Sequence, residues 1–127
     1  MAAQYTAAAL VAEDRLRAMP ASLQSIPTSA GMEDHVSMGV HAAHKLAAVV
    51  RNVRDILAIE ALCAAQGLDL LGRTSSQPVE AARAVVREHS AFVDEDRSLT
   101  GDVAVMADVI QREVLVAAVR QRFPDLA

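Results

Sequence analysis

Apolar and polar positions at helical spacing in one long segment, with helix stops and loop residues elsewhere, predict an all-α protein. A first helix is expected from Ala3 to Met19. Its charges gather at the C-terminal end (Glu13, Asp14, Arg15, Arg17), and Pro20, which has no amide hydrogen to donate, stops it. Residues 20 to 33 carry Pro20, Ser22, Ser25, Pro27, Thr28, Ser29 and Gly31, the residue types that turn a backbone, and are read as a loop. A long helix is predicted from about Asp34 to Leu70, with Asp34 or a near neighbour as its N-cap. Gly72 to Gln77 forms a second loop, and Pro78 suits the first position of a helix running to about Ala91. The turn Asp94 to Gly101 leads into a last helical region from Asp102 to about Arg122, with a break near Arg112.

Advancing about 100° per residue along the long helix gathers Asp34, Ser37, His41, His44, Lys45, Arg51, Asn52, Asp55, Gln66 and Asp69 into one polar arc. Leu46, Val49, Val50, Val53, Ile56, Leu57, Ile59, Leu62 and Cys63 are assigned to the remaining, apolar arc. At ~1.5 Å per residue such a helix is about 55 Å long. A compact domain of this chain length is only about 36 Å across. The helix outruns its own globule, and its apolar arc is expected to pack against other chains through self-association.

Composition narrows the class. The 127 residues suffice for a single helical domain with a real core. Aromatic side chains are confined to Tyr5, Phe92 and Phe123, and the small residues that dominate instead let helices approach closely. A formal net charge of −4 leaves no basic footprint for nucleic acid. Cys63 is the only cysteine, so no intrachain disulfide forms and a reducing compartment is the default. No run of about 18 apolar residues spans a membrane. The N-terminus lacks the basic n-region and cleavage pattern of a signal peptide, which makes the cytoplasm the expected location.

The segment from Ser25 to Gly39, Ser-Ile-Pro-Thr-Ser-Ala-Gly-Met-Glu-Asp-His-Val-Ser-Met-Gly, carries the most information. It resembles the active-site loop and following helix start of histidine ammonia-lyases, within the aromatic amino acid ammonia-lyase family. The likeness extends upstream through Ala3 to Leu10 and downstream through Ile56 to Glu60, Cys63 to Leu70 and Asp94 to Arg97. It covers nearly the whole chain and implies the long-helix bundle of the C-terminal part of the ammonia-lyase fold. Members of the family are homotetramers with a central bundle of long helices and active sites shared between subunits. Their chemistry removes ammonia from an α-amino acid. An electrophilic methylidene-imidazolone activates the amine, a base takes a β-proton, and an α,β-unsaturated acid remains.

That electrophile is made by cyclising an internal Ala-Ser-Gly, and no such tripeptide occurs in these 127 residues. Ser29-Ala30-Gly31 has the wrong order and lies in the wrong part of the family pattern. The resemblance therefore implies no cofactor on this chain. It also implies that the cofactor-bearing N-terminal part of the fold lies elsewhere. The leading expectation is a small subunit of a split amino acid ammonia-lyase, whose larger partner carries the Ala-Ser-Gly tripeptide, the tyrosine base and most of the pocket. The alternatives are a non-catalytic assembly module derived from such an enzyme, and a truncated product or fragment. An Ala-Ser-Gly-bearing chain encoded in the neighbouring gene would discriminate them.

Two residues carry the site. Glu33 stands immediately before the long helix, where an acid gains from the helix dipole. Histidine-type relatives bear a glutamate at this point of the motif, projecting into the substrate pocket, whereas phenylalanine- and tyrosine-type relatives usually bear glutamine. A carboxylate accepts a hydrogen bond from an imidazole N–H or pairs with imidazolium. The resemblance thus makes Glu33 a catalytic and substrate-binding residue, with Met32 beside it in substrate binding. At Met32 the histidine-type relatives commonly have glutamine, and at Gly31 asparagine. A thioether in place of an amide removes a donor and an acceptor, which points to a changed substrate side chain or to a site that no longer turns over.

The remaining candidates read as structural. His41 and His44 share the polar arc, but no third ligand accompanies them, and they read as solvated or interface histidines. Cys63 reads as a small buried hydrophobe. Arg54 and Glu60 fall outside the polar arc, as ion-pair partners across an interface or, for Glu60, as a residue reaching the active-site region. Asp94 to Asp96 read as a solvated turn.

Overall fold

The computed structural model describes residues 2–126. Five α-helices follow in order: α1 (Ala2–Arg17), α2 (Gly39–Leu71), α3 (Gln77–His89), α4 (Thr100–Gln111) and α5 (Val114–Arg122). Short 3-10 turns at Ala21–Gln24 and Ser29–Gly31 lie within the segment expected to be loop. The all-α expectation holds, and the break near Arg112 falls where it was expected. There Glu113 adopts a left-handed conformation (φ +57°) that ends α4 and starts α5.

The long helix begins at Gly39, five residues later than expected, and Asp34 is not its cap. Residues 34–38 run as open chain. The Val36 amide donates to Ser25 Oγ at 2.9 Å, eleven residues away. The first helical bond runs from the Ala42 amide to the Met38 carbonyl at 3.0 Å, and Ser37 Oγ accepts the Gly39 amide at 3.3 Å. With 33 residues, α2 is about 50 Å long.

The chain forms two compact units, one of residues 8–53 and one of residues 2–7 with 54–126. In the second, the later half of α2 packs with α3, α4 and α5 around Ala58, Leu62, Ala65, Val85, Val86, Met106, Ala107 and Val109. Met106 is wholly buried at its centre. Ile59 is buried as well. Helical phase puts Ile59 and Leu62 on the side where earlier turns of α2 carry His44, Arg51 and Asn52, so the expected single apolar arc does not describe the whole helix. Leu46, Val50, Val53 and Leu57 lie on the opposite side and are exposed. Cys63 is exposed rather than buried, since the core draws on the face carrying Ala58, Leu62 and Ala65.

Polar side chains fix the edges of this unit. Asp69 accepts from Arg87 Nε at 2.6 Å and from Arg83, which also grips Glu80 at 2.6 and 2.9 Å. Gln66 forms a reciprocal pair with the Val93 backbone, donating at 2.8 Å and accepting at 3.1 Å. Asp102 receives both guanidinium arms of Arg97, at 2.6 and 2.9 Å, and the Ser90 hydroxyl at 2.5 Å. Those donors, Arg97 first, hold the Asp102 carboxyl far below the usual carboxylate range. Arg54 bonds Gln111 within the same unit, and Glu60 is exposed. Among the described residues no helix is long and apolar enough to cross a membrane.

The unit of residues 8–53 is thinner. Ala48 is its one buried hydrophobic residue, while Leu16, Leu23, Ile26, Met32 and Val40 are all exposed. Its polar ties include Asn52 to Asp14 at 2.8 Å and Lys45 to the Met19 carbonyl.

Candidate functional site

The candidate site is the turn closing on Glu33. Thr28 and Glu33 pair as an antiparallel bridge, the Thr28 amide donating to the Glu33 carbonyl at 3.0 Å and the Glu33 amide to the Thr28 carbonyl at 3.3 Å. Between them the chain makes one left-handed turn, with φ of +54° at Ser29, +54° at Ala30 and +85° at Gly31. Only Gly31 takes that conformation without steric cost; each residue bearing a Cβ costs about 1–2 kcal/mol there. The amides of Gly31 and Met32 stabilise the turn by donating to the carbonyls of Thr28 and Ser29, each at 3.1 Å.

The Thr28 hydroxyl adds a side-chain bond, donating to Glu33 Oε2 at 3.1 Å. Glu33 is thereby held through its backbone and through one carboxylate oxygen, while the residue as a whole is exposed. Met32, its neighbour, is 85% exposed. Both expected site residues therefore stand side by side where the turn closes, accessible on this chain. The Ser25–Val36 bond then fixes the strand of chain that leads from Glu33 into α2.

The turn offers a hydrogen-bond acceptor beside an apolar thioether, an arrangement suited to a side chain with a donor edge and an apolar face. It does not offer the residues needed for the family electrophile. Ser29-Ala30-Gly31 is not Ala-Ser-Gly, and its backbone is committed to the left-handed turn. The residues present thus do not fit that group, and no chemical step on this chain passes through it. His41 and His44 are both exposed, and among the described residues no group of His, Cys, Asp or Glu gathers to hold a metal.

Thr28 was not singled out from the sequence. Its only signal there is a hydroxyl residue five positions before the acid, separated from it by a glycine-containing turn.

The aromatic amino acid lyase family pattern matches residues 1–88. A histidine ammonia-lyase of Symbiobacterium thermophilum is 50% identical over 120 residues, covering 94% of this chain and 24% of that protein. One from Sorangium cellulosum is 49% identical over 122 residues, covering 95% of this chain and 24% of that protein. Among solved structures, Trypanosoma cruzi histidine ammonia-lyase superposes with a TM-score of 0.86 at 42% identity, over 91% of this chain and 23% of that one. Tyrosine aminomutase from Streptomyces globisporus superposes with a TM-score of 0.88 at 38% identity, over 94% of this chain and 23% of that one. The chain spans about a quarter of the length of the curated relatives it matches.

Proposed function

Since this chain belongs to the aromatic amino acid lyase family, we propose that it is the small subunit of a split amino acid ammonia-lyase, completing an active site with a larger chain that bears Ala-Ser-Gly. The observation that carries this reading is Glu33, a carboxylate locked in position by its own turn yet left open to solvent. A residue held so firmly at the surface suits a wall of a pocket whose other walls come from elsewhere.

On the partner, the methylidene-imidazolone would supply the electrophile that labilises the substrate amine. This chain's own share is recognition. Glu33 accepts a hydrogen bond from the substrate side chain or the reacting amine, and Met32 packs against the apolar part of that side chain. The overall change releases ammonia and leaves an α,β-unsaturated acid. Histidine is the first substrate to test, because the relatives with about half of these residues in common are named for it.

The test is reconstitution with the Ala-Ser-Gly-bearing chain, following the unsaturated acid by its ultraviolet absorbance. Turnover is expected from the complex and none from the purified 127-residue chain. Within the complex, Glu33→Gln should leave assembly intact and lower kcat/KM about 10- to 150-fold, the loss of one charge-assisted hydrogen bond. Turnover by the chain alone would overturn the split. A stable complex that turns over no amino acid would favour the assembly module instead.

A further inference from the structure

We propose that Thr28 is a positioning residue for Glu33, orienting its carboxylate so that Oε1 remains free for the substrate; this role rests on the placement of Glu33 in the pocket proposed above. Glutamate has three side-chain torsions, and an exposed one ordinarily samples many rotamers. Here the antiparallel bridge fixes the two backbones face to face, and the half-buried Thr28 hydroxyl takes Oε2 at 3.1 Å. One carboxylate oxygen is anchored, and the other has no hydrogen-bond partner among the described residues. The left-handed turn of Ser29 to Gly31 brings the two residues together, so the strained backbone and the hydroxyl act on the same side chain.

A threonine at this point serves two ends that other residues separate. Its branched Cβ suits the extended backbone of the bridge (φ −131°, ψ 179°), and its hydroxyl supplies the donor. Serine keeps the donor, and valine keeps the shape.

The experiment has two readouts on Thr28→Val, Thr28→Ser and Glu33→Ala. In the 127-residue chain, NMR relaxation of the Glu33 side chain should show an ordered carboxylate in wild type and Thr28→Ser and a freely rotating one in Thr28→Val. In the reconstituted complex, Thr28→Val should lower kcat/KM about 2- to 12-fold, as an ordinary net hydrogen bond does. That loss should fall in the same parameter, kcat or KM, that Glu33→Ala moves. It should be rescued by Thr28→Ser and vanish when combined with Glu33→Ala. A Glu33 side chain equally ordered in Thr28→Val, or a kinetic loss that persists in the Glu33→Ala background, overturns the positioning role while leaving Glu33 in the site. Kinetics unchanged by Glu33→Ala, or no turnover from any assembly, overturns the reading of the site itself and this role with it.

Discussion

Replacing Leu46 and Val50 together by glutamine tests whether α2 is covered by another chain. Leu46, Val50, Val53 and Leu57 are 63%, 58%, 42% and 43% exposed, and helical phase places all four within an arc of about 60°. Their uncovered parts amount to about two full aliphatic side chains. Burying a Val or Leu side chain is worth about 1.5–3 kcal/mol, so covering this stripe contributes about 3–6 kcal/mol per chain. Leu46 and Val50 account for rather more than half of it. The double variant should therefore weaken association by about 2–3.5 kcal/mol for each chain that carries it, or ~30- to 400-fold in Kd per substituted chain. Glutamine is a good helix former, so circular dichroism at high concentration should be unchanged. Sedimentation velocity from nanomolar to tens of micromolar should show wild type shifting to a larger species at much lower concentration than the variant. His44→Gln, an exposed change on the other side of α2, serves as the control and should behave as wild type. A wild-type chain that remains a well-folded monomer at micromolar concentration refutes the reasoning, as does a double variant that associates as tightly as wild type.

Met106 is wholly buried at the centre of the α2–α5 core, and Met106→Ala should destabilise the fold by about 2–5 kcal/mol, read as a lowered urea midpoint; a loss below about 1 kcal/mol would show that the core is not packed as described. Acid should unfold the chain through Asp69, Glu80 and Asp102, all of which titrate lower when folded, chiefly through bonds from Arg83, the Ser75 amide and Arg97 respectively. Because the folded values are depressed, this stabilisation is complete above the unfolded values near 3.8 for Asp and 4.5 for Glu, and it is lost as pH falls below them. Melting temperatures should thus hold steady with respect to these groups from pH 5 to 7 and drop towards pH 3, less steeply in Asp102→Asn; a drop of equal steepness in that variant would remove Asp102 from the explanation.

The helices were legible because their evidence is local. Pro20, Pro78 and the periodic apolar residues each act within a turn or two of where they sit, and the chain obeys them. The start of α2 was misplaced because its determinant is not local. Asp34 has the chemistry of a cap, but residues 34–38 stay open, and the Val36 amide bonds Ser25 Oγ, eleven residues away. The candidate site divides in the same way. Met32 and Glu33 stand out by resemblance, whereas the Thr28 bond to Glu33 depends on three successive left-handed residues that only the folded backbone reveals. Two of those, Ser29 and Ala30, carry side chains that disfavour the conformation, so propensity points away from the turn that forms.

Helix α2 departs from a single apolar arc for a different physical reason. A surface helix buries one stripe and shows polar residues opposite, and one stripe is what phase analysis looks for. Helix α2 has two. Ala58, Ile59, Leu62 and Ala65 are buried within the chain, while Leu46, Val50, Val53 and Leu57 face away from them and are left uncovered. A contiguous apolar stripe in water invites cover, and the chain's own core covers only one side of α2. The unit of residues 8–53 makes the same demand, since Ala48 is its sole buried hydrophobic residue against a set of large exposed ones. That segment also carries the turn bearing Glu33, so its exposed apolar residues and that carboxylate belong to one unit. In the split-enzyme reading proposed above, one docking event would both cover these residues and complete the site.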